Sequence, residues 1–139
     1  MPPLTRWFLR ISLLSLLLAV LLALFSAAQA PLGMDLPMSA FTPVYFHLFM
    51  VGWVTQLIFG VVFWMFPKHS KERPRGSEAL GWLTFGLLNA GLLLRLVGEP
   101  AQALDPAPLW GWTLAVSALL QWAAGMLFVI NTWGRVKER

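Results

Sequence analysis

The stretch that decides the fold runs from residue 44 to residue 76 and reads VYFHLFMVGWVTQLIFGVVFWMFPKHSKERPRG. It opens with an apolar run of roughly twenty residues, the length that an α-helix needs to cross a bilayer. The run carries His47 near its start and ends at Pro67, before a cluster of positive charges. Ionisable side chains inside membrane spans are rare and mark functional sites. The stretch therefore predicts both a span and a site.

The composition of the whole chain excludes a soluble domain. Of the 139 residues, 58% are hydrophobic and 12% are charged, and the mean hydropathy is +0.71. That leaves too little polar surface to coat a soluble protein. We therefore predict an all-α integral membrane four-helix bundle that forms a single transmembrane domain over residues 1–139. Its helices are predicted at residues 8–28, 44–66, 80–97 and 109–132.

The first apolar run has a second interpretation. Arg6 and Arg10 precede a leucine-rich run that ends in Ala28-Gln29-Ala30, as in a cleaved secretory signal. The run is longer than the usual hydrophobic region of a signal, and a proline directly after the cleavage position would hinder cutting. We expect a retained helix, whereas a cleaved signal would leave three spans.

Lysine and arginine predict the orientation of the chain. Nine of the ten basic residues lie before the first run, between the second and third, or after the fourth. Such flanks stay on the cytoplasmic side during insertion, so we expect both termini in the cytoplasm. We expect a multi-pass protein of a prokaryotic inner membrane. The lipid bilayer accounts for the net charge of +4 without any nucleic acid.

The two connections without basic residues contain Asp35, Glu99 and Asp105 and are rich in proline. Proline fixes its own φ and disfavours helix in the residue before it. We therefore predict that prolines break the helices in these connections. They are Pro31, Pro37, Pro43, Pro100, Pro106 and Pro108.

Few polar side chains fall inside the predicted spans. The chain has no cysteine, which excludes a thiol redox pair and a cysteine-ligated metal. No acidic residue lies in a predicted span, which argues against the buried carboxylate of a small proton-coupled exporter. His47 is a candidate ligand for iron or another transition metal, since a neutral imidazole suits an apolar metal site. Alternatively, it hydrogen-bonds a neighbouring helix or reaches the interface, and His69 is expected to be solvated.

Arg95 is predicted at a similar depth to His47, because their two helices run in opposite directions. An arginine at the membrane edge suits the propionates of a haem through charge-assisted hydrogen bonds. It also suits an ion pair with Glu99, four residues later. Gly52, Gln56 and Gly60 form a stripe of small and polar residues along the second helix. This stripe either leaves space for a macrocycle or lets a neighbouring helix pack closely. We predict His47 as the metal ligand, with further cofactor-binding residues Arg95, Trp53, Gln56 and Asn89.

The run that starts at His47 resembles the second helix of subunit I in haem-copper oxidases and nitric oxide reductases, and in short four-helix proteins related to that subunit. In that family the helix begins with a histidine that ligates the low-spin haem. It ends in a Gly-x-x-aromatic-aromatic-x-x-Pro pattern, here Gly60, Phe63, Trp64 and Pro67. The segments LLNAGLLLRLVGEP and LLQWAAGMLFVINTWGRVKER are similar to the third and fourth helices of the short relatives. The resemblance implies haem b bound through His47, for electron transfer, haem handling or gas sensing.

The sequence also departs from the family. The short relatives often carry a second histidine at the position of Tyr45, and full-length oxidases need further histidines for copper and haems. A binuclear centre cannot be built from one membrane histidine, so we lean against an enzyme. The sixth iron ligand is left open between His47 of a second copy in a homodimer, Met34 or Met38, and another subunit of a respiratory complex. The alternative function is a haem-free structural or assembly subunit of such a complex.

Overall fold

The computed structural model describes residues 1–68, 70–71 and 74–136, so His69 lies outside the described residues. Its α-helices are α1 (Pro3–Ala28), α2 (Thr42–His47), α3 (Gln56–Met65), α4 (Glu78–Leu104) and α5 (Pro108–Trp133). A 3-10 turn, Met38–Phe41, precedes α2. A π-helical segment, Leu48–Thr55, joins α2 to α3.

Four helical stretches are long and apolar enough to cross a membrane: Pro3–Ala28, Met38–Met65, Glu78–Leu104 and Pro108–Trp133. The predicted all-α class and the four apolar helices are therefore confirmed. We call Met38–Met65 the second span. Large apolar side chains cover the outside, with Leu17 of α1 68% exposed and Leu119 of α5 61% exposed. Such a surface suits lipid and not water.

The bundle is built from two antiparallel helix pairs. In the first pair α1 packs along the second span, and in the other α5 packs along α4. The Thr5 hydroxyl donates to the Gly60 carbonyl at 3.3 Å, and the Ser117 hydroxyl donates to the Gly91 carbonyl at 2.6 Å. Small residues let membrane helices approach this closely, because lipid supplies no hydrophobic force between them. In each pair, the two helices therefore approach closely enough for a side chain of one to bond the backbone of the other.

Side chains of α1 fill the space beside two glycines of the second span. A Cβ at Gly52 would lie 2.7 Å from Ser15 Cβ, and one at Gly60 would lie 2.8 Å from Phe8 Cβ. The space that the glycine stripe offers to a macrocycle is therefore filled by the first helix. The stripe serves helix packing, which was the other interpretation of the pattern.

One end of the bundle, which we call the clamp end, is tied together by polar contacts. Asn131 of α5 accepts from the Ser77 N–H at 2.8 Å and donates to the Ser77 carbonyl at 3.1 Å. Arg135 donates to the carbonyls of Phe66 and Pro67 at the end of the second span. Burial lowers the pKa of the Arg135 guanidinium from its ordinary value. These bonds satisfy backbone groups at the helix ends, which apolar surroundings would otherwise leave unpaired.

At the opposite end, which we call the histidine end, α4 continues past residue 97, where we predict its end, to Leu104. Pro100 lies inside this helix, so the predicted break there is wrong. Proline removes only the hydrogen bond to the carbonyl four residues earlier, and buried neighbours stabilise the turn. Pro43 and Pro108 stand in the first turns of α2 and α5, where the missing N–H costs nothing.

Gly60→Ala should destabilise the bundle, because the added Cβ meets Phe8 Cβ at 2.8 Å. We expect a loss of about 1–3 kcal/mol, the usual cost of overpacking a filled core. Unfolding in mixed micelles, followed by circular dichroism, measures it. Gly86→Ala is the matched control, since nothing lies within 4 Å of its Cβ. Equal stability of the two variants would contradict the packing of α1 against the second span.

Candidate functional site

Three ionisable side chains meet at the histidine end. Glu99 Oε1 lies 3.0 Å from His47 Nδ1 and 3.0 Å from Arg95 Nη1. The Glu99 side chain is only 6% exposed, whereas those of Arg95 and His47 are 21% and 27% exposed. Both the similar depth of His47 and Arg95 and the pairing of Arg95 with Glu99 agree with the sequence. A cation and an anion in contact make the cluster tolerable in apolar surroundings.

The burial of Glu99 corrects an expectation from the sequence. We place it in a proline-rich connection and predict no acidic residue inside a span, but it lies in α4 with 7% of its surface exposed. The error follows from taking Pro100 as a break. The signal that was available is the spacing of Arg95 and Glu99, which places them on one helix face. The prediction that no span contains a buried carboxylate is therefore wrong.

The π-helical segment Leu48–Thr55 sets the direction of His47 relative to Gln56. Both side chains contact α4, His47 through Glu99 and Gln56 through Asn89. In a straight α-helix, residues nine positions apart point to opposite faces, because each residue advances by about 100°. A π turn takes about one residue more than an α turn. Two such turns in the segment bring His47 and Gln56 to the same side of the second span.

Gln56 and Asn89, two of the predicted cofactor-binding residues, bind each other. Gln56 Nε2 donates to Asn89 Oδ1 at 3.1 Å, and Asn89 Nδ2 donates to Gln56 Oε1 at 3.1 Å. Asn89 also donates to the Phe85 carbonyl, and Gln56 is fully buried. Trp53 packs edge-on against Phe49, with ring centroids 4.8 Å apart. In this arrangement the amide pair fastens the second span to α4.

The two ring nitrogens of His47 have different surroundings. Nδ1 lies 3.0 Å from the Pro43 carbonyl oxygen as well as 3.0 Å from Glu99 Oε1. Both neighbours are acceptors, so the tautomer that suits them carries its proton on Nδ1. The lone pair then lies on Nε2, which makes no hydrogen bond within the part of the chain that the structure describes. Nε2 is thus the nitrogen available to a metal.

Four buried side-chain atoms have no hydrogen-bond partner among the described residues: Arg95 Nε, Glu99 Oε2, Gln102 Oε1 and Gln121 Nε2. An unpaired buried polar atom is costly, and each one requires an explanation. Gln102 was missed from the sequence because it lies beyond the predicted end of α4. The polar cluster therefore extends beyond the Arg95–Glu99 ion pair, and some of its hydrogen-bonding groups have no partner among the described residues.

The described residues contain no group of three or more His, Asp or Glu side chains that could hold a metal ion. A metal at His47 would therefore need ligands from a macrocycle, a second copy or another subunit. Neither protein-family models, nor curated proteins, nor solved structures match this chain. The resemblance to subunit I thus rests on the residues quoted for it.

Glu99→Leu should destabilise the protein strongly, since it leaves the Arg95 guanidinium without its partner. Breaking a buried pair costs about 3 kcal/mol or more. The double variant Arg95→Leu/Glu99→Leu should recover much of that loss, because no charge is then left unpaired. Unfolding midpoints in micelles measure all three stabilities. Glu78→Leu is the control, since the Arg75–Glu78 pair is exposed and should contribute little. Simple additivity of the two single losses would contradict the pairing.

Proposed function

We propose that this protein is a membrane protein that binds b-type haem, with His47 Nε2 as an axial iron ligand, and serves electron transfer, haem handling or gas sensing. The observation that supports it most is the contact of Nδ1 with Glu99 Oε1, at 3.0 Å. A metal-bound histidine usually donates its other ring N–H to a carboxylate or a carbonyl, which fixes the ring and raises its basicity. Glu99 and the Pro43 carbonyl are suited to that role.

The surfaces of the second span that other helices already cover limit where a macrocycle could lie. Gly52 and Gly60 are covered by α1, so no slot for a flat ring remains along that side of the second span. A groove of about 400 Å³ between α1 and the 3-10 turn, and another of about 310 Å³ between α1 and α4, do not include His47 in their walls. The haem would therefore lie against the outside of the second span. Phe46 and Met50, 56% and 53% exposed, lie one residue before and three residues after His47 and offer apolar contact.

Arg95 is suited to the propionates. Its Nη1 donates to Glu99 at 3.0 Å, while its Nε has no partner among the described residues. A guanidinium has five N–H donors, so it can hold Glu99 and a propionate at the same time. The two interpretations of Arg95 from the sequence are therefore compatible.

A haem on the outside of the bundle suggests a second copy of the chain. In a two-fold dimer with its axis along the membrane normal, two copies of His47 lie at equal depth and face one another. Both would then bind one iron, so that a single membrane histidine in each chain would be enough. When bound, the haem would supply one-electron exchange. The chain would supply His47 Nε2 to the iron, Arg95 to the propionates, and apolar side chains to the edge of the ring.

Purified wild-type protein should carry one haem for every two chains, with sharp low-spin bands in the reduced spectrum. His47→Gln should lose the haem, because an amide can still donate to Glu99 but is a poor iron ligand. The haem content and the spectra with and without carbon monoxide measure this. Circular dichroism checks that the variant remains helical.

Gln121→Leu is the control and should keep its haem, since it removes a partly buried polar side chain on α5 and leaves His47 in place. Wild-type protein that remains colourless after expression with ample haem would exclude the proposal. That outcome would favour the haem-free structural or assembly subunit. One haem per chain with a carbon monoxide shift would reject the shared site.

We also propose that the clamp end, with both termini, faces the cytoplasm of a prokaryotic inner membrane. Lys68, Lys71 and Arg75 lie at that end, and the positive-inside rule places such residues in the cytoplasm. The histidine end then faces outward.

A protease site inserted between Asp35 and Pro37 should be cut by protease added outside intact cells, whereas a tag at either terminus should be protected. The reason is the difference in basic residues between the two ends of the bundle. Immunoblotting of the fragments measures it. Cutting of both terminal tags from outside would reverse the orientation.

A further inference from the structure

A groove of about 310 Å³ runs along the outside of the bundle between α1 and α4. Its wall residues are apolar apart from Ser15 and Asn89, and the Asn89 amide is already bonded to Gln56. Leu14 of α1 and Leu93 of α4, which line the groove, are 51% and 61% exposed. The groove is therefore apolar and open to the surrounding lipid.

The groove is long and narrow. Its wall extends from Trp7 to Leu18 on α1 and from Phe85 to Leu96 on α4, and each helix rises by about 16 Å over that range. This is about half of the hydrocarbon core of a bilayer, which is the depth of one leaflet. A volume of about 310 Å³ spread over about 16 Å leaves a mean cross-section of about 20 Å², whereas an α-helix about 10 Å across fills about 80 Å². The groove therefore has room for one hydrocarbon chain and not for a helix.

The two ends of the groove differ in depth. At the clamp end Trp7 lines the groove, and Trp82 of α4 packs edge-on against Phe85 with ring centroids 6.0 Å apart. Tryptophan is enriched where the hydrocarbon layer meets the lipid headgroups. At the other end, Leu48 packs in a buried apolar cluster with Ala19 of α1. The groove thus begins at the headgroup level of the clamp end and ends within the hydrocarbon layer.

Two arginines make the clamp end of the groove positively charged. Arg10 Cζ lies 5.8 Å from the centroid of the Trp7 ring, so a cation–π contact holds this guanidinium beside the groove. Arg6 precedes Arg10 by one turn on the same side of α1. Both arginines are exposed, and neither forms an ion pair with an acidic side chain that the structure describes. A guanidinium binds phosphate through paired hydrogen bonds, and at this depth anionic lipids supply the phosphate.

We propose that the groove between α1 and α4 binds one anionic phospholipid from the leaflet at the clamp end. One acyl chain lies in the groove against Leu14 and Leu92, and the phosphate lies beside Arg6 and Arg10. Hydrocarbon in the groove replaces hydrocarbon of the bilayer, so the chain contributes shape and little free energy. The headgroup charge supplies the affinity and the selectivity. The site is separate from the proposed haem, because His47 does not line the groove.

The test compares two lipids that differ only in the headgroup. Delipidated protein in detergent is mixed with equal amounts of phosphatidylglycerol and phosphatidylcholine that carry identical acyl chains. Native mass spectrometry counts the molecules of each lipid that stay on the protein. Each wild-type chain should retain one phosphatidylglycerol, at least about fivefold in excess of phosphatidylcholine, because two unpaired arginines favour a headgroup with a net negative charge.

The first pair of variants tests the headgroup contact. Arg10→Gln should lower the affinity for phosphatidylglycerol about fivefold, which is the usual effect of one basic residue near an anionic lipid surface. Arg75→Gln is the control and should change the affinity little. It also removes one positive charge at the clamp end, but Arg75 lies beside Glu78 and does not line the groove.

The second pair of variants tests the acyl chain. Leu14→Trp should abolish retention of phosphatidylglycerol, because the indole fills the groove while both arginines stay in place. Leu13→Trp is the control, since Leu13 is 55% exposed but lies outside the walls of the groove. Both leucines face lipid, so neither change disturbs the core, and circular dichroism verifies that all four variants are folded.

Equal retention of the two lipids by the wild type would overturn the site. Wild-type affinity in Arg10→Gln would do the same, because the phosphate would then lie elsewhere. Equal losses in Leu13→Trp and Leu14→Trp would also reject it, since the lipid would then bind the whole surface of α1. The haem content of the same samples is a separate measurement. Colourless protein that retains phosphatidylglycerol would keep the lipid site and exclude the haem, and haem-containing protein without lipid selectivity would do the reverse.

Discussion

The contact of one carboxylate oxygen of Glu99 with both His47 and Arg95 is the constraint on which the histidine end depends. A charged group in apolar surroundings must be neutralised where it stands, because lipid offers no solvation. Both distances are 3.0 Å, so α4 and the second span must come together there. The same contact keeps α4 helical through Pro100 and turns the His47 ring so that Nδ1 faces the carboxylate.

Polar contacts connect the two helix pairs at several depths. Beyond the ion pair, the Gln56–Asn89 amides fasten the second span to α4. At the clamp end, Asn131 and Arg135 bind the backbone of the connection between the two pairs. Apolar packing contributes within each pair, where Gly60 and Gly91 allow close approach. The fold is therefore a pair of closely packed hairpins, joined by these polar side chains and by apolar contacts such as the stacked rings of Phe59 and Phe128.

The helices themselves could be predicted from apolar run length, because a span must satisfy its backbone internally over about twenty residues. The end of α4 could not, since proline rules describe local backbone preference, whereas the helix past residue 97 is stabilised by the contacts of Glu99 with another helix. The similar depth of His47 and Arg95 could be predicted, because the two helices that carry them run in opposite directions. The amide pair could not be found in the same way, because the π-helical segment changes which residues of the second span face α4.

The division into two hairpins has a consequence for biosynthesis. The chain emerges from the ribosome in order, so α1 and the second span are complete while α4 and α5 are still missing. During that interval His47 and Gln56 have no Glu99 and Asn89 to bind, and each unpaired polar side chain in lipid is costly. The first hairpin alone is therefore expected to be less stable in the membrane than the complete bundle. The synthesis of α4 supplies both missing partners. The polar contacts of His47 and Gln56 with α4 can therefore form only after the second hairpin has begun to be made.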